Sequence, residues 1–245
     1  MKLAFSKPTA SEEETRLLFT RFRQLGYDGL QLKAGQYLPY LDEPERFLDA
    51  WKQYPGAASA LIVWGTPDDA RRVFAFGEAV GSEIIVFCHR APREGLDAKD
   101  IRAIARSLSE LGKEAQDHDL KLSLHHHYNQ PVMYREDFEV FFDAVEGDTV
   151  GLTVDTAHLV KSGVNDIAGL IRDFRPVINN FHLKDFVDGE FKVLGTGSID
   201  FNPVFVAIQE IGYNGWVSAD EESEAEIMGA MEQCFRFITA GLTAL

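Results

Sequence analysis

Eight short apolar runs recur along the chain, each followed by a loop with polar residues and then by an amphipathic stretch. Apolar runs that alternate with helical patterns indicate βαβ units, in which parallel strands pair through right-handed crossovers. We therefore predict eight parallel strands, at residues 2–6, 29–33, 58–64, 83–89, 120–126, 150–155, 180–184 and 215–220.

The stretches between the runs carry signals of helix ends. Ser11 opens the first stretch and Glu14 follows three residues later, which is a capping-box pattern. Gly26 stands just after the apolar stripe of the same stretch, where helices commonly end. Further helices are predicted at residues 96–119, 202–211 and 222–241.

The number of units and the length of the chain favour one architecture. The chain has 245 residues, close to the length of about 250 that is typical of an eight-fold barrel. We therefore predict an α/β fold, a single (β/α)₈ TIM barrel, that forms one domain over residues 1–245. An open doubly wound sheet is the alternative. No Pro/Ser-rich linker, charge block or low-complexity segment marks a second domain.

The charge of the chain limits the partners that we expect. Its 39 acidic and 24 basic side chains give a formal charge of −15, so the surface repels a phosphate backbone at long range. We therefore expect no nucleic-acid partner. One or two local cations are nevertheless enough to hold a small anionic ligand.

The two cysteines and the first residues of the chain indicate in which cellular compartment we expect the protein. Cys88 and Cys234 stand in apolar stretches without metal-ligand or redox spacing, which predicts buried, reduced thiols. We expect no signal peptide in the first residues, because their apolar stretch is short, and no apolar run approaches the length of a membrane span. We expect a cytoplasmic protein without a membrane partner.

The alternation of side chains along a strand selects candidate site residues. Apolar positions that pack against the helices leave the intervening positions for the barrel interior. On the last four strands this rule sends one polar side chain inward near each carboxyl end: His125, Asp155, His182 and Asp220. Active sites of barrels are built at this end, so we expect the four side chains to lie together.

These four residues point to a metal ion. Burying two carboxylates and two imidazoles together is costly unless a counter-charge is present. A divalent cation removes that cost, and mixed nitrogen and oxygen ligation suits Mn²⁺, Zn²⁺, Co²⁺ or Fe²⁺ better than Ca²⁺, with Mg²⁺ as a further candidate. We therefore predict one divalent metal ion. The alternatives are a structural histidine at a strand end, Asp155 as a helix cap, and a solvated helix start at 220–224.

Four more residues near these strand ends are candidates for catalysis. Lys184 offers a positive charge to a hydroxyl or enediolate oxygen, and its alternative is an ion pair with Glu222 or Asp220. Glu222 and His127 are candidates for proton transfer. His158, predicted to stand in the loop after the sixth strand, either reaches the substrate or forms a hydrogen bond with a metal ligand.

His89 and Gly197 are candidates for substrate binding. His89 ends the fourth strand, and its alternative is a surface position beside the following RAPR segment. Gly197 belongs to the segment GTGSID at 195–200, in which glycines permit close approach of the backbone and supply free N–H groups. A simple turn is the alternative for this segment.

Four segments carry a resemblance to a known family. VDTAHL, FHLKD, GTGSIDF and GYNGWVSADEES, in this order and at these intervals, resemble the xylose isomerase-like barrel superfamily. This superfamily includes sugar (phosphate) isomerases, ketose epimerases and inosose dehydratases. The resemblance covers residues 120–223 most clearly, and the strand count extends it to the whole chain.

The resemblance implies a ligand set with two departures. In the family, a strand-five Glu, a strand-six Asp, a strand-seven His and a strand-eight Glu typically bind the metal. Asp155 and His182 match this pattern, whereas Asp220, with Glu222 two residues on, and His125 stand where Glu is usual. The segment LSLHHHYN is most similar to the inosose dehydratase branch. Without a strand-five carboxylate, the paired glutamates of a symmetric epimerase are missing.

The residues and the resemblance together predict a metal-dependent enzyme. We expect an isomerase or epimerase of a sugar, sugar phosphate or cyclic polyol ketone that works through a metal-stabilised enediolate. An inosose-type dehydratase is the alternative reaction, and a non-catalytic sugar-binding barrel is the alternative class. Phosphodiester cleavage, as in endonuclease IV, is disfavoured by the charge of −15. The expected partner is a small carbohydrate, and the family also suggests a homo-oligomer.

Overall fold

Eight parallel strands close into a barrel in the computed structural model, which describes residues 1–243. Neighbouring strands along the chain pair with each other, and the last pairs with the first, so the predicted barrel is confirmed and the open sheet is wrong. Positions 244 and 245 of the predicted domain lie outside the described residues, and a single domain over 1–245 stays a prediction. The barrel strands are β1 (Lys2–Ser6), β2 (Gly29–Leu32), β3 (Ala60–Gly65), β4 (Ile84–His89), β5 (Lys121–His125), β6 (Val150–Asp155), β7 (Ile178–Leu183) and β10 (Trp216–Asp220).

Helices follow the barrel strands and cover the outside of the sheet. Across the described residues, none of them combines the length and the apolar character that a membrane crossing requires. The helices are α1 (Glu12–Leu25), α2 (Ala34–Tyr37), α3 (Pro44–Trp51), α4 (Pro67–Val80), α5 (Ala98–Gln116), α6 (Arg135–Ala144), α7 (Thr156–Lys161), α8 (Ile167–Asp173), α9 (Asn202–Glu210) and α10 (Ile227–Thr243), with a 3₁₀ turn at Leu38–Tyr40.

The first helix begins and ends where its sequence signals indicate. The Ser11 side chain accepts a hydrogen bond from the backbone N–H of Glu14, which satisfies one of the free donors of the first turn. Gly26 ends the helix in the left-handed conformation, with φ of 103°. The capping pattern of the sequence therefore predicts both ends correctly.

The chain departs from the simple repeat at three places. β2 is followed by α2, a 3₁₀ turn and α3, and β7 is followed by an antiparallel hairpin of β8 (Asp185–Val187) and β9 (Glu190–Lys192). α7 begins directly after β6, so the prediction that His158 stands in a loop is wrong. The reason is local, because the Asp155 side chain caps α7 as soon as the strand ends.

The barrel interior has an apolar half and a polar half. The larger apolar core lies between the sheet and the helices, and a second cluster fills one side of the interior with Ala4, Ala60, Ile62, Ile84, Val86, Cys88 and Trp216. The other side carries hydrogen-bonding side chains that are at most 1% exposed: Gln31, Ser123, Thr153, Asn180 and Ser218. The candidate site lies above this polar half.

Candidate metal centre

Four barrel strands bring one side chain each to a common point at their carboxyl ends. β5, β6, β7 and β10 supply His125, Asp155, His182 and Asp220, and one ligand atom from each lies within 4.8 Å of the others. All four side chains are at most 4% exposed. The structure therefore brings together the residues that strand alternation selects, in a group that could hold a metal ion.

Asp155 uses its two carboxylate oxygens differently. Oδ1 accepts a hydrogen bond from the backbone N–H of His158 at 2.9 Å, and Oδ2 lies 3.3 Å from His125 Nε2. Burial raises the pKa of Asp155, but Lys184, His158 and His125 outweigh burial and hold it well below its ordinary value. The carboxylate is therefore ionised, and it acts as a helix cap while Oδ2 faces the other ligands.

His125 lies between a thiol and a carboxylate. Its Nδ1 is 3.2 Å from the Cys88 sulfur, and its Nε2 faces Asp155. Burial lowers the pKa of His125, whereas Cys88 and Asp155 raise it more, to about 10. Because a metal-bound imidazole must be neutral, His125 has to release a proton before it can serve as a ligand.

His182 presents one nitrogen to the candidate metal position. Its Nε2 lies 2.7 Å from Gln31 Oε1, and its Nδ1 faces Asp220 Oδ2 at 3.5 Å. Burial lowers the pKa of His182 more than the Asp220 carboxylate raises it, so the imidazole is neutral. Among the described residues, the buried Nδ1 has no hydrogen-bond partner. An unpaired nitrogen beside two carboxylates fits a divalent cation.

Two lysines neutralise the carboxylates of the site. Lys184 Nζ lies 2.7 Å from Asp220 Oδ2, 2.6 Å from Glu222 Oε2 and 3.5 Å from Asp155 Oδ2. Lys33 Nζ lies 2.7 Å from Asp220 Oδ1 and 2.7 Å from Glu222 Oε1. Burial lowers the pKa of each lysine, but the carboxylates raise it more. Both are therefore ammonium ions, and the ion pair that was the alternative for Lys184 is present.

Sequence reasoning did not select Lys33, although a signal was available. Leu30 and Leu32 are fully buried against the helices. The alternation of side chains along a strand then places Gln31 and Lys33 inward, by the same rule that selects the ligands. Applied to the second strand, this rule would have found both residues.

Two histidines beside the ligands are neutral. The His127 and His158 rings are stacked obliquely with centroids 3.7 Å apart. His127 Nδ1 lies 2.9 Å from the Tyr128 carbonyl, which can only accept, so Nδ1 carries the proton and Nε2 keeps its lone pair. Burial, followed by His125, lowers the pKa of His127 to about 4, and burial also holds the pKa of His158 well below its ordinary value.

A cavity of about 220 Å³ opens onto these groups. It is smaller than the roughly 300–1,000 Å³ of pockets that hold drug-sized ligands, so it suits a small molecule. Asp155 does not line the cavity and is fully buried. The predicted residues that line the cavity are His125, His127, His158, His182, Lys184, Asp220 and Glu222. Lys33, Trp64 and Cys88 line it as well and were not selected from the sequence.

His89 and Gly197 are not among the residues that line this cavity. His89 Nδ1 accepts a hydrogen bond from the backbone N–H of Ala91. The N–H groups of Gly195 and Gly197 both donate to Asp185 Oδ2, at 3.0 and 2.8 Å. The N–H groups of this loop therefore bind a carboxylate of the protein instead of facing the cavity.

Comparison with known proteins gives one match by family model and several by sequence or structure. The chain is similar to an inosose dehydratase of Clostridium beijerinckii, with 29% identity over 154 residues, which cover 55% of this chain and 51% of that protein. The chain therefore spans about half the length of the curated relatives that it matches. The model of the xylose isomerase-like TIM barrel family matches residues 19–239.

Two solved structures share the fold over nearly the whole chain. The IolI protein with a bound zinc atom superposes with a TM-score of 0.83 at 19% identity, covering 100% of this chain and 99% of that one. A D-allulose 3-epimerase from Methylomonas sp. superposes with a TM-score of 0.82 at 16% identity, covering 99% and 98%. The closed barrel and the extent of the family match lead to one conclusion: the chain belongs to the xylose isomerase-like TIM barrel family.

Proposed function

We propose that the protein is a metal-dependent dehydratase that removes water from a small cyclic polyhydroxy ketone of the inosose type. The proposal depends on a difference between two groups that line the cavity, the His127 imidazole and the Glu222 carboxylate. His127 Nε2 keeps a lone pair on a neutral ring, whereas both oxygens of Glu222 are engaged by ammonium groups. His127 Nε2 is thus open to a substrate proton, whereas neither oxygen of Glu222 is.

The engaged carboxylate argues against inversion at carbon. Epimerisation needs a proton acceptor on one face of the substrate and a donor on the other. Burial and Asp220 raise the pKa of Glu222, but Lys33 and Lys184 outweigh them, so the carboxylate stays ionised and paired with two ammonium groups. A single competent acceptor is sufficient for elimination, in which the same group can receive and return one proton.

The reaction that we propose uses the residues as follows. A divalent ion held by His125, Asp155, His182 and Asp220 would supply Lewis-acid polarisation of the ketone. His127 accepts the proton from the carbon next to the carbonyl and returns it to the departing hydroxyl. The C–H and C–O bonds break, a carbon–carbon double bond forms, and water leaves. Lys184 and Lys33 stabilise negative charge that develops on substrate oxygens.

Relatives with related activities support this proposal. Two curated relatives of similar sequence are inosose dehydratases, matched over 51% and 64% of their length. D-allulose 3-epimerase shares the fold at 16% identity, so ketose epimerisation is the second reaction to be tested. A barrel that binds a sugar without turnover is the third outcome.

The test is an assay with a purified inosose and with ketohexoses, using protein loaded with Mn²⁺, Zn²⁺ or Co²⁺. We expect the inosose to lose one water, detected by mass spectrometry and by the absorbance of the enolic dione. His127→Gln should lower kcat by about 10²–10⁴-fold while the protein still binds the metal. Ketose epimers without a dehydrated product would identify an epimerase, and binding without either product would identify a non-catalytic barrel.

A further inference from the structure

A chain of hydrogen bonds between side chains runs through the polar half of the barrel and ends at His182. All its members are buried except the partly exposed Asn179 at its base. It begins at Asn179 near the amino-terminal ends of the strands, where β6 and β7 shift register. From the base upward, the side chains are Asn179, Ser123, Thr153, Asn180, Gln31 and His182.

The base of this polar chain is anchored to the backbone. Asn179 Nδ2 donates to the carbonyl oxygen of Leu122 at 3.4 Å, and a carbonyl can only accept. Asn179 Oδ1 is therefore the acceptor for the Ser123 hydroxyl, at 2.5 Å. Since Ser123 donates downward, it accepts from the Thr153 hydroxyl at 2.6 Å. Each hydroxyl has one proton, so the direction of the bonds is fixed from the base.

The same direction continues through a reciprocal pair of amides. Having given its proton to Ser123, the Thr153 hydroxyl accepts from Asn180 Nδ2 at 3.3 Å. The second proton of Asn180 Nδ2 goes to Gln31 Oε1 at 3.1 Å, and Gln31 Nε2 donates to Asn180 Oδ1 at 2.8 Å. This pairing leaves Gln31 Oε1, an acceptor, 2.7 Å from His182 Nε2.

An acceptor at this distance decides the tautomer of His182. Its Nε2 must carry the proton, which leaves the lone pair on Nδ1. Asp220 competes for that proton, because its Oδ2 lies 3.5 Å from Nδ1 and favours the opposite tautomer. If Gln31 did not accept a hydrogen bond from Nε2, the proton would lie on Nδ1. Nδ1 would then have no lone pair for a metal ion.

We propose that Gln31, oriented by Asn180 and the polar chain below it, is a positioning residue that holds His182 in the Nε2–H tautomer and makes Nδ1 the metal donor. The inference rests on the metal site of the proposed function, and it is independent of the reaction. Partners of this kind commonly change metal affinity by about 10–100-fold.

The decisive measurement is ¹⁵N NMR of histidine-labelled, metal-free protein, with the His182 signals assigned by their absence in His182→Gln. We expect the wild-type protein to carry the proton on Nε2. In Gln31→Met, which removes the acceptor, we expect the proton to move to Nδ1 and the affinity for Mn²⁺, measured by calorimetry, to fall by about 10–100-fold. Gln31→Glu keeps an acceptor oxygen and should retain the Nε2–H tautomer.

Ser218→Ala is the matched control. Ser218 is fully buried, as His182 is, and it pairs in register with His182 on the neighbouring strand. Its hydroxyl lies 3.4 Å from the Ala219 carbonyl and takes no part in the polar chain. This variant should leave the tautomer and the metal affinity unchanged. A proton on Nδ1 in the wild-type protein, or wild-type affinity in folded Gln31→Met, overturns the inference. Because no substrate is used, these outcomes are separate from failure of the proposed reaction.

Discussion

At the scale of single residues, Asp155 combines two functions that substitutions can separate. Its Oδ1 caps α7 and its Oδ2 faces the candidate metal position. Asparagine is a good helix cap but carries no negative charge, whereas alanine is neither a cap nor a ligand. The two substitutions therefore distinguish the structural role from the ligand role.

We expect Asp155→Asn and Asp155→Ala both to lose metal binding, because each removes an anionic ligand. Asp155→Ala should in addition unfold about 0.5–2 kcal/mol more easily than Asp155→Asn, since it alone removes the cap of α7. Calorimetric metal titration and urea unfolding in the presence of a chelator measure the two effects. Equal stabilities of the two variants would contradict the capping role, and a full metal complement in either would contradict the ligand assignment.

At the scale of secondary-structure elements, strand alternation is why so much of the site could be predicted from the sequence. The period of two sends His125, Asp155, His182 and Asp220 to one face, and parallel strands bring their ends together. The connections between strands have no such period. The hairpin of β8 and β9, whose strands are only three residues long, therefore could not be predicted from alternation. For the same reason, the hydrogen bonds from the N–H groups of Gly195, Gly197 and Ile199 to Asp185 depend on a contact that spacing alone does not encode.

The amino-terminal rim of the barrel carries an ion pair between elements distant in sequence. Glu83, just before β4, binds Lys2 of β1 at 2.6 Å and accepts from the indole N–H of Trp216 on β10 at 3.0 Å. Burial raises the pKa of Glu83, but the bonds to Lys2 and Trp216 outweigh it, so the pKa is lowered. This contribution to stability is present above the unfolded-state pKa of about 4.3 and is lost as the pH falls through the folded-state pKa.

Glu83→Gln tests this rim contact, because glutamine keeps an acceptor for Trp216 and loses the charge. We expect the variant to be less stable than the wild type by at most about 1 kcal/mol at pH 7, since both charged side chains are nearly half exposed. The difference should shrink as the pH falls below about 4. Urea unfolding across this range measures it. In a Lys2→Met background the pH-dependent part should become smaller, because the Trp216 bond remains. A difference that grows in acid would refute the assignment.

At the scale of the whole molecule, the site is balanced in charge while its surroundings are strongly acidic. Asp155, Asp220 and Glu222 face Lys33, Lys184 and the protonated His125. The rest of the protein supplies no surplus of positive charge, because the chain carries a formal charge of −15. The stability of the metal-free barrel therefore depends on each of the few cations near these carboxylates.

Lys184→Met removes one of these cations and leaves the buried carboxylates in excess. In the presence of a chelator, we expect the variant to be about 3–5 kcal/mol less stable than the wild type, the usual effect of breaking a buried ion pair.

A divalent ion at 100 times its Kd for the wild type should stabilise the wild type by about 2.7 kcal/mol. The same concentration should stabilise the variant by more, since the ion then also supplies the missing charge. Urea unfolding with chelator and with Mn²⁺ measures both. Lys192→Met, at a largely exposed ion pair with Glu190, is the control, and it should match the wild type in stability and in stabilisation by Mn²⁺. Equal stability of Lys184→Met and the wild type without metal would mean that Lys184 is not the counter-charge of this site.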